Sequence, residues 1–103
     1  MEENRYTQFT KDVLVVLKQI PYGKVTTYGD VAKTAGYPNG ARQVVRILSS
    51  LSEKENLPWH RVVNKAGQVV LKGEGEFEQI TLLQKEGVGF ISENIVDMKN
   101  YKV

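Results

Sequence analysis

The sequence predicts a mainly α fold with a small β-hairpin, organised around a helix-turn-helix. Three observations carry this. Apolar residues recur at helical spacing over residues 6–20, 40–51 and 76–86. The turn Tyr37-Pro38-Asn39-Gly40 joins two short helices, and the second carries arginines on its open side. Asn64-Lys65-Ala66-Gly67 lies between two short apolar stretches, in the pattern of a four-residue hairpin loop. A chain of 103 residues has room for one core, so a single domain over 1–103 is expected.

In chain order, residues 6–20 place Phe9, Val13, Val16, Leu17 and Ile20 on one helix face, with Lys11, Asp12, Lys18 and Gln19 elsewhere. Pro21 ends that helix, and Pro21-Tyr22-Gly23 turns the chain. Val25-Thr26-Thr27 is a short extended link. Thr27 and Asp30 have capping-box spacing, and the short helix they open buries Val31 and Ala32, with Ala35 next in line. Gly36 suits its left-handed C-terminal cap, and Asn39 is placed to cap the following helix. There, over about 40–51, Ala41, Val44, Val45, Leu48 and Leu51 share one face, while Arg42, Arg46, Ser49 and Ser50 take the other. Ser52 to Asn56 reads as a polar loop, Arg61-Val62-Val63 as a short strand and Gln68 to Leu71 as its returning partner. Lys72 to Gly75 is a flexible link. The helix at 76–86 should turn Phe77, Ile80 and Leu83 inward and stop at Gly87. In 88–103, Val88, Phe90, Ile91, Ile95 and Val96 should pack as irregular or short extended structure.

Composition narrows the function classes. Apolar residues at 41% against 25% charged indicate a globular chain. The absence of cysteine excludes a disulfide framework, thiolate metal sites and a cysteine nucleophile. With one histidine, neither a metal site nor a cofactor is expected. No apolar run approaches the roughly 20 residues of a membrane span, and MEENRYTQF lacks a signal-peptide pattern. A cytoplasmic protein without membrane association is expected, nucleoid-associated if prokaryotic. Residues 1–73 carry eleven Lys and Arg against six Asp and Glu, net +5, whereas 74–103 carry three against six, net −3. This asymmetry suggests a basic face for an anionic partner.

Several residues admit a functional and a plain reading. Arg42 and Arg46 fit a solvated helix face, or contacts to phosphate and a DNA groove. Trp59 and His60 fit a core aromatic and a half-buried imidazole, or the wall of a pocket that stacks on a flat ligand. Tyr28, at a helix start with free N–H groups, fits a core position or a contact to phosphate or base. Glu86, at a helix C-terminus, calls for a specific partner such as His60 or a backbone N–H. Asn64 is most simply a turn residue.

Taken together, Ile20-Pro21-Tyr22-Gly23-Lys24-Val25, Thr27-Tyr28-Gly29-Asp30-Val31-Ala32, Ala41-Arg42-Gln43-Val44, Pro58-Trp59-His60-Arg61-Val62-Val63-Asn64 and Leu82-Leu83-Gln84-Lys85-Glu86-Gly87 resemble the DNA-binding domain of O6-alkylguanine-DNA alkyltransferases. Their order and spacing match from about residue 6 to 90. The resemblance implies a winged-helix-like helix-turn-helix domain, as in the C-terminal domain of those transferases. One departure matters. The family motif is Pro-Cys-His-Arg, and here Trp59 stands at the cysteine. This resembles the alkyltransferase-like proteins, which bind O6-alkylguanine in DNA without removing the alkyl group and mark it for nucleotide excision repair.

The resemblance implies site residues position by position. Arg42 corresponds to the arginine finger that enters from the minor groove and replaces the extruded nucleotide. Tyr28 corresponds to the tyrosine that helps rotate the 3′ phosphate and contacts the flipped base. Trp59 belongs to the pocket wall, with His60, Val62 and Val63 beside it. Arg46 adds DNA contact. Lys72 lies near the position where some relatives place an arginine over the flipped base, and a lysine keeps the charge without the planar surface. His60 and Glu86 correspond to the pair that activates the cysteine, and with no thiol they are expected to support structure or pocket. The implied partners are double-stranded DNA containing O6-alkylguanine and nucleotide excision repair proteins of the UvrA type, with the protein a monomer and no enzyme. Two other classes stay open: a helix-turn-helix transcriptional regulator, and a residual DNA-repair hydrolase using His60, Glu86 and a bound water.

Overall fold

The structure is a computed structural model that describes residues 5–103. The first four residues of the N-terminal stretch considered above lie outside the described residues. The chain forms two compact units, one from Met1–Gln19 and Tyr28–Trp59, the other from Ile20–Thr27 and His60–Val103.

The first unit is helical: α1 (Gln8–Lys18), α2 (Tyr28–Thr34) and α3 (Ala41–Glu55). The Thr7 hydroxyl caps α1 by accepting from Thr10 N at 3.1 Å. Val13, Leu14 and Leu17 are buried, and α2 packs against both α1 and α3. Leu14 joins the expected stripe, while Phe9 and Val16 sit half-buried at its margins. Polar side chains reinforce the unit from outside. Glu55 receives hydrogen bonds from Lys18 Nζ at 3.0 Å and Tyr6 Oη at 2.8 Å. Tyr37 Oη donates to Asp12 at 2.9 Å, and its ring meets Phe9 edge-on at 4.6 Å.

α3 differs from expectation in three ways. It runs to Glu55, so Ser52–Glu55 is helix rather than loop, and Asn56 ends it in the left-handed region at φ 51°. Glu and Lys are good helix formers, and Glu55 is anchored by Lys18 and Tyr6. Its N-cap is Gly40, with no side-chain cap, rather than Asn39. Its inward stripe centres on Val44 and Ile47, which leaves Val45 41% exposed. At about 100° per residue, Val45 falls on the flank of a stripe that passes through 44, 47, 48 and 51.

The second unit contains β1 (Thr26–Thr27), β2 (Val62–Val63), α4 (Glu74–Lys85), β3 (Phe90–Ser92), β4 (Ile95–Val96) and α5 (Met98–Tyr101). A 3₁₀ turn, Trp59–Arg61, leads into β2, and the boundary between the units falls within it. Val25, Val63, Val69, Leu83, Val88 and Val96 form the core, with Ile80, Phe90, Met98 and Tyr101 packed around it. The valines are β-branched and come from five separate segments, which suits short strands and links rather than long elements.

The expected hairpin turn at 64–67 forms. Asn64 Oδ1 accepts from Ala66 N at 3.0 Å and Gln68 N at 2.8 Å, and Gly67 adopts φ 82°. The flanking strands nevertheless do not make the hairpin. β2 pairs in parallel with β1, placing Thr26 opposite Val62 and Thr27 opposite Val63. Gln68 instead makes a single bridge to Ile95. The antiparallel pair of this mainly helical fold is β3–β4, in the tail expected to be irregular or short extended structure. A parallel pairing between distant segments leaves no local spacing signal.

α4 keeps Ile80 and Leu83 on the core side as expected, but not Phe77. Phe77 points out and is 75% exposed, while Gln79 is 2% exposed and Leu83 fully buried. Glu76, Gln79, Ile80, Leu83 and Glu86 share the inward side at helical spacing. The helix begins at Glu74, two residues early, and Gly87 ends it at φ 83° as expected.

Candidate nucleic-acid interface

The helical unit presents α2 and α3 as the expected helix-turn-helix. The turn is set by glycine chemistry. Gly36, at φ 99°, closes α2: its N–H reaches Lys33 O at 3.0 Å, and Tyr37 N reaches Ala32 O at 2.8 Å. These two bonds form a Schellman cap. Gly40 then starts α3 where a Cβ would come within 3.1 Å of Phe9 Cε1 and Tyr37 O. A shallow depression of about 430 Å³ opens at the turn between Phe9, Pro38, Asn39 and Gln43. None of the expected lesion-contact residues lines it.

Arg42, Arg46, Ser49 and Ser50 are all exposed along α3, as the pattern predicts. The Ser50 hydroxyl donates to Arg46 O at 2.8 Å, which leaves the Arg46 guanidinium outside that bond. Tyr28 opens α2 and is half-buried, and burial pushes its hydroxyl above the usual phenol range. At neutral pH it is therefore a neutral donor that can serve a phosphate oxygen or a base. Trp59, the first residue of the 3₁₀ turn, is also half-buried.

In the second unit, His60 and Glu86 come together, as the resemblance implies and as a carboxylate at a helix C-terminus calls for. His60 Nε2 lies 2.7 Å from Glu86 Oε2. Arg61 also binds this carboxylate, through Nε at 2.9 Å to Oε1 and Nη2 at 2.9 Å to Oε2. The Gly23 N–H donates to Oε1 at 2.8 Å. Arg61 Nη1 reaches Ile20 O at 2.8 Å, and its guanidinium lies over the Tyr22 ring at 5.6 Å. Burial opposes the Glu86 charge, but the bonds from Arg61, His60 and Gly23, with the pull of His60, outweigh it and hold the carboxyl at about 2. An ionised carboxylate only accepts, so His60 donates from Nε2. The histidine is thus committed to an anion that also binds the 20–23 turn.

The other expected residues fare differently. Val62 and Val63 are fully buried, so they have only main chain to offer a ligand. Lys72 is exposed just before α4. The backbone N–H that Glu86 calls for is that of Gly23, while the roles of Arg61 and Gln79 carry no signal in the sequence. Gln79 Nε2 donates to His60 O at 3.1 Å and Val62 O at 3.0 Å. A glutamine in a helix reads as surface, and nothing in its spacing marks it as buried.

Residues 8–88 match the family model described as 6-O-methylguanine DNA methyltransferase, DNA binding domain. A DNA base-flipping protein of Vibrio parahaemolyticus is 42% identical over 95 residues, covering 92% of this chain and 95% of the relative. Alkyltransferase-like protein 1 of Schizosaccharomyces pombe is 36% identical over 97 residues, covering 92% and 90% respectively. The crystal structure of S. pombe Atl1 in complex with damaged DNA containing O6-carboxymethylguanine superposes with a TM-score of 0.81 at 33% identity, over 100% of this chain and 96% of that one.

Proposed function

The chain belongs to the 6-O-methylguanine DNA methyltransferase DNA-binding-domain family, and from that premise we propose that it is a damage sensor rather than a transferase. It binds O6-alkylguanine in double-stranded DNA, flips the damaged base out of the stack and leaves the alkyl group in place. One observation carries this reading. Trp59 occupies the acceptor position of Pro58-Trp59-His60-Arg61, and none of the 103 residues is a cysteine. Indole N–H is a donor and no substitute for a thiolate. The names of the relatives, a base-flipping protein and an alkyltransferase-like protein, support the same reading.

The roles follow residue by residue. Arg42 enters from the minor groove and fills the space of the extruded nucleotide. Arg46 holds phosphate. Tyr28 helps rotate the phosphate and meets the flipped base, and Trp59 stacks on it. His60, bound to Glu86, supports the segment after Trp59; Val62 and Val63 contribute main chain only; Lys72 supplies charge near the base. Flipping costs a few kcal/mol, less for a base whose pairing is already weakened. Stacking returns about 1–3 kcal/mol per base. The α3 arginines add affinity that is independent of sequence and sensitive to salt. Residues 1–103 act as one DNA-binding domain and as a monomer. The acidic 74–103 stretch is the surface offered to nucleotide excision repair proteins of the UvrA type, since its net charge of −3 disfavours DNA.

The test is a titration of two duplexes that differ only in O6-methylguanine or guanine. The lesion duplex binds more tightly, and Arg42→Ala and Tyr28→Ala each reduce that preference with the fold intact. Equal affinity for the two duplexes refutes the proposal.

A further inference from the structure

We infer that Gln79 is a positioning residue for lesion recognition: from the buried side of α4 it fixes the main chain that follows Trp59, and so sets discrimination between damaged and undamaged guanine. The inference rests on the proposed role of Trp59 as a base contact.

A primary amide 2% exposed is tolerated only when its hydrogen-bonding groups are used. Gln79 spends both N–H groups on the carbonyls of His60 and Val62, at 3.1 and 3.0 Å. Those carbonyls bracket Arg61, at the exit of the 3₁₀ turn Trp59–Arg61 and the start of β2. A single 3₁₀ turn cannot satisfy its own last carbonyls, so their partner must come from elsewhere. An apolar side chain at 79 would fill the volume and remove both donations. A carboxylate would set oxygen against oxygen.

Two helical turns further on, the same face of α4 carries Glu86, which binds the His60 and Arg61 side chains. One helix therefore grips residues 60–62 twice, through main chain by Gln79 and through side chains by Glu86. Trp59 is peptide-bonded to the first gripped residue. Stacking needs the indole plane oriented to within 10–20° or so, a tolerance that loose backbone would exceed. The network includes the neutral Gln79 amide because geometry, rather than charge, is what it supplies.

Trp59 is the only tryptophan in the chain, so emission under tryptophan-selective excitation reports on this residue alone. Wild type and Gln79→Met are titrated with the O6-methylguanine and guanine duplexes. Methionine keeps the length and removes the donors. Gln79→Met should lose roughly tenfold in affinity for the lesion duplex, hold the guanine duplex within about twofold and shift the Trp59 emission, because two buried hydrogen bonds are gone while the α3 arginines are untouched. An unchanged preference in folded Gln79→Met, or a parallel loss for both duplexes, overturns the inference. Should Gln79→Met fail to fold, wild type decides: the Gln79 side-chain amide protons should exchange more slowly with the lesion duplex bound than with the guanine duplex, and equal exchange overturns it. A wild type with no preference at all would instead overturn the sensor reading itself.

Discussion

The two units of this protein solve the same problem by different means. The helical unit buries apolar stripes: Val13, Leu14 and Leu17 of α1, Val31 and Ala32 of α2, Val44 and Ile47 of α3. The second unit assembles segments far apart in sequence, and the helix that joins them turns a partly polar side inward. Gln79 and Glu86 bind residues 60–62 there, and Leu83 between them reaches the valine core. An apolar stripe supplies stability without direction. Directed hydrogen bonds fix a particular loop in one conformation, and that loop follows the residue which replaces the family's nucleophile.

This contrast is broken most severely at Glu86. Removing it leaves the Arg61 side chain, 16% exposed, without its anion, so Glu86→Ala should cost about 3–5 kcal/mol in denaturant unfolding. The same carboxylate gives a pH signature. Its folded pKa of about 2 lies below the ordinary 4.5. The stabilisation is therefore fully present above pH 4.5 and is lost as pH falls towards 2. That loss amounts to about 3 kcal/mol and should disappear in Glu86→Ala. In the helical unit, Leu17→Ala should cost about 2–5 kcal/mol by leaving a cavity, with no added pH dependence.

Smaller effects separate DNA contacts from packing. Arg42→Ala should weaken the lesion complex by about 1–3 kcal/mol, whereas Arg46→Ala should weaken both duplexes alike and lower the salt slope by about one. Both are read by titration at several salt concentrations. Gly36→Ala should cost about 1 kcal/mol in thermal unfolding, because φ 99° disfavours a side chain. Phe77→Ala should stay within about 0.5 kcal/mol despite removing an aromatic ring, since that ring is 75% exposed.

The same contrast decides what the sequence made legible. Helical periodicity locates α1, α3 and α4, the Thr27/Asp30 spacing locates α2, and the glycines at 36 and 87 mark the ends of α2 and α4. The arginines of α3 face outward as the pattern required. At α4 periodicity places Ile80 and Leu83 correctly and misses only Phe77, because the rule that apolar residues point inward does not foresee a buried Gln79 serving two carbonyls. Phe77 was assigned the inward role that Gln79 takes. The hairpin misreading has a similar origin: Asn64 and Gly67 specify their turn locally, but the partner of Val62-Val63 is Thr26-Thr27, more than thirty residues away. At the site, the His60–Glu86 pair was legible from the resemblance and from a carboxylate placed at a helix C-terminus, which also calls for a backbone N–H such as that of Gly23, while Arg61, which completes the carboxylate's shell, carried no such signal.

The central claim is recognition without transfer, and protein mass tests it most directly. The protein is incubated with an excess of O6-methylguanine duplex at concentrations where the complex is saturated, and its intact mass is then measured. An unchanged mass is expected, with the methylated base recovered from the DNA. A gain of one methyl group on the protein, with guanine appearing in the DNA, would contradict it.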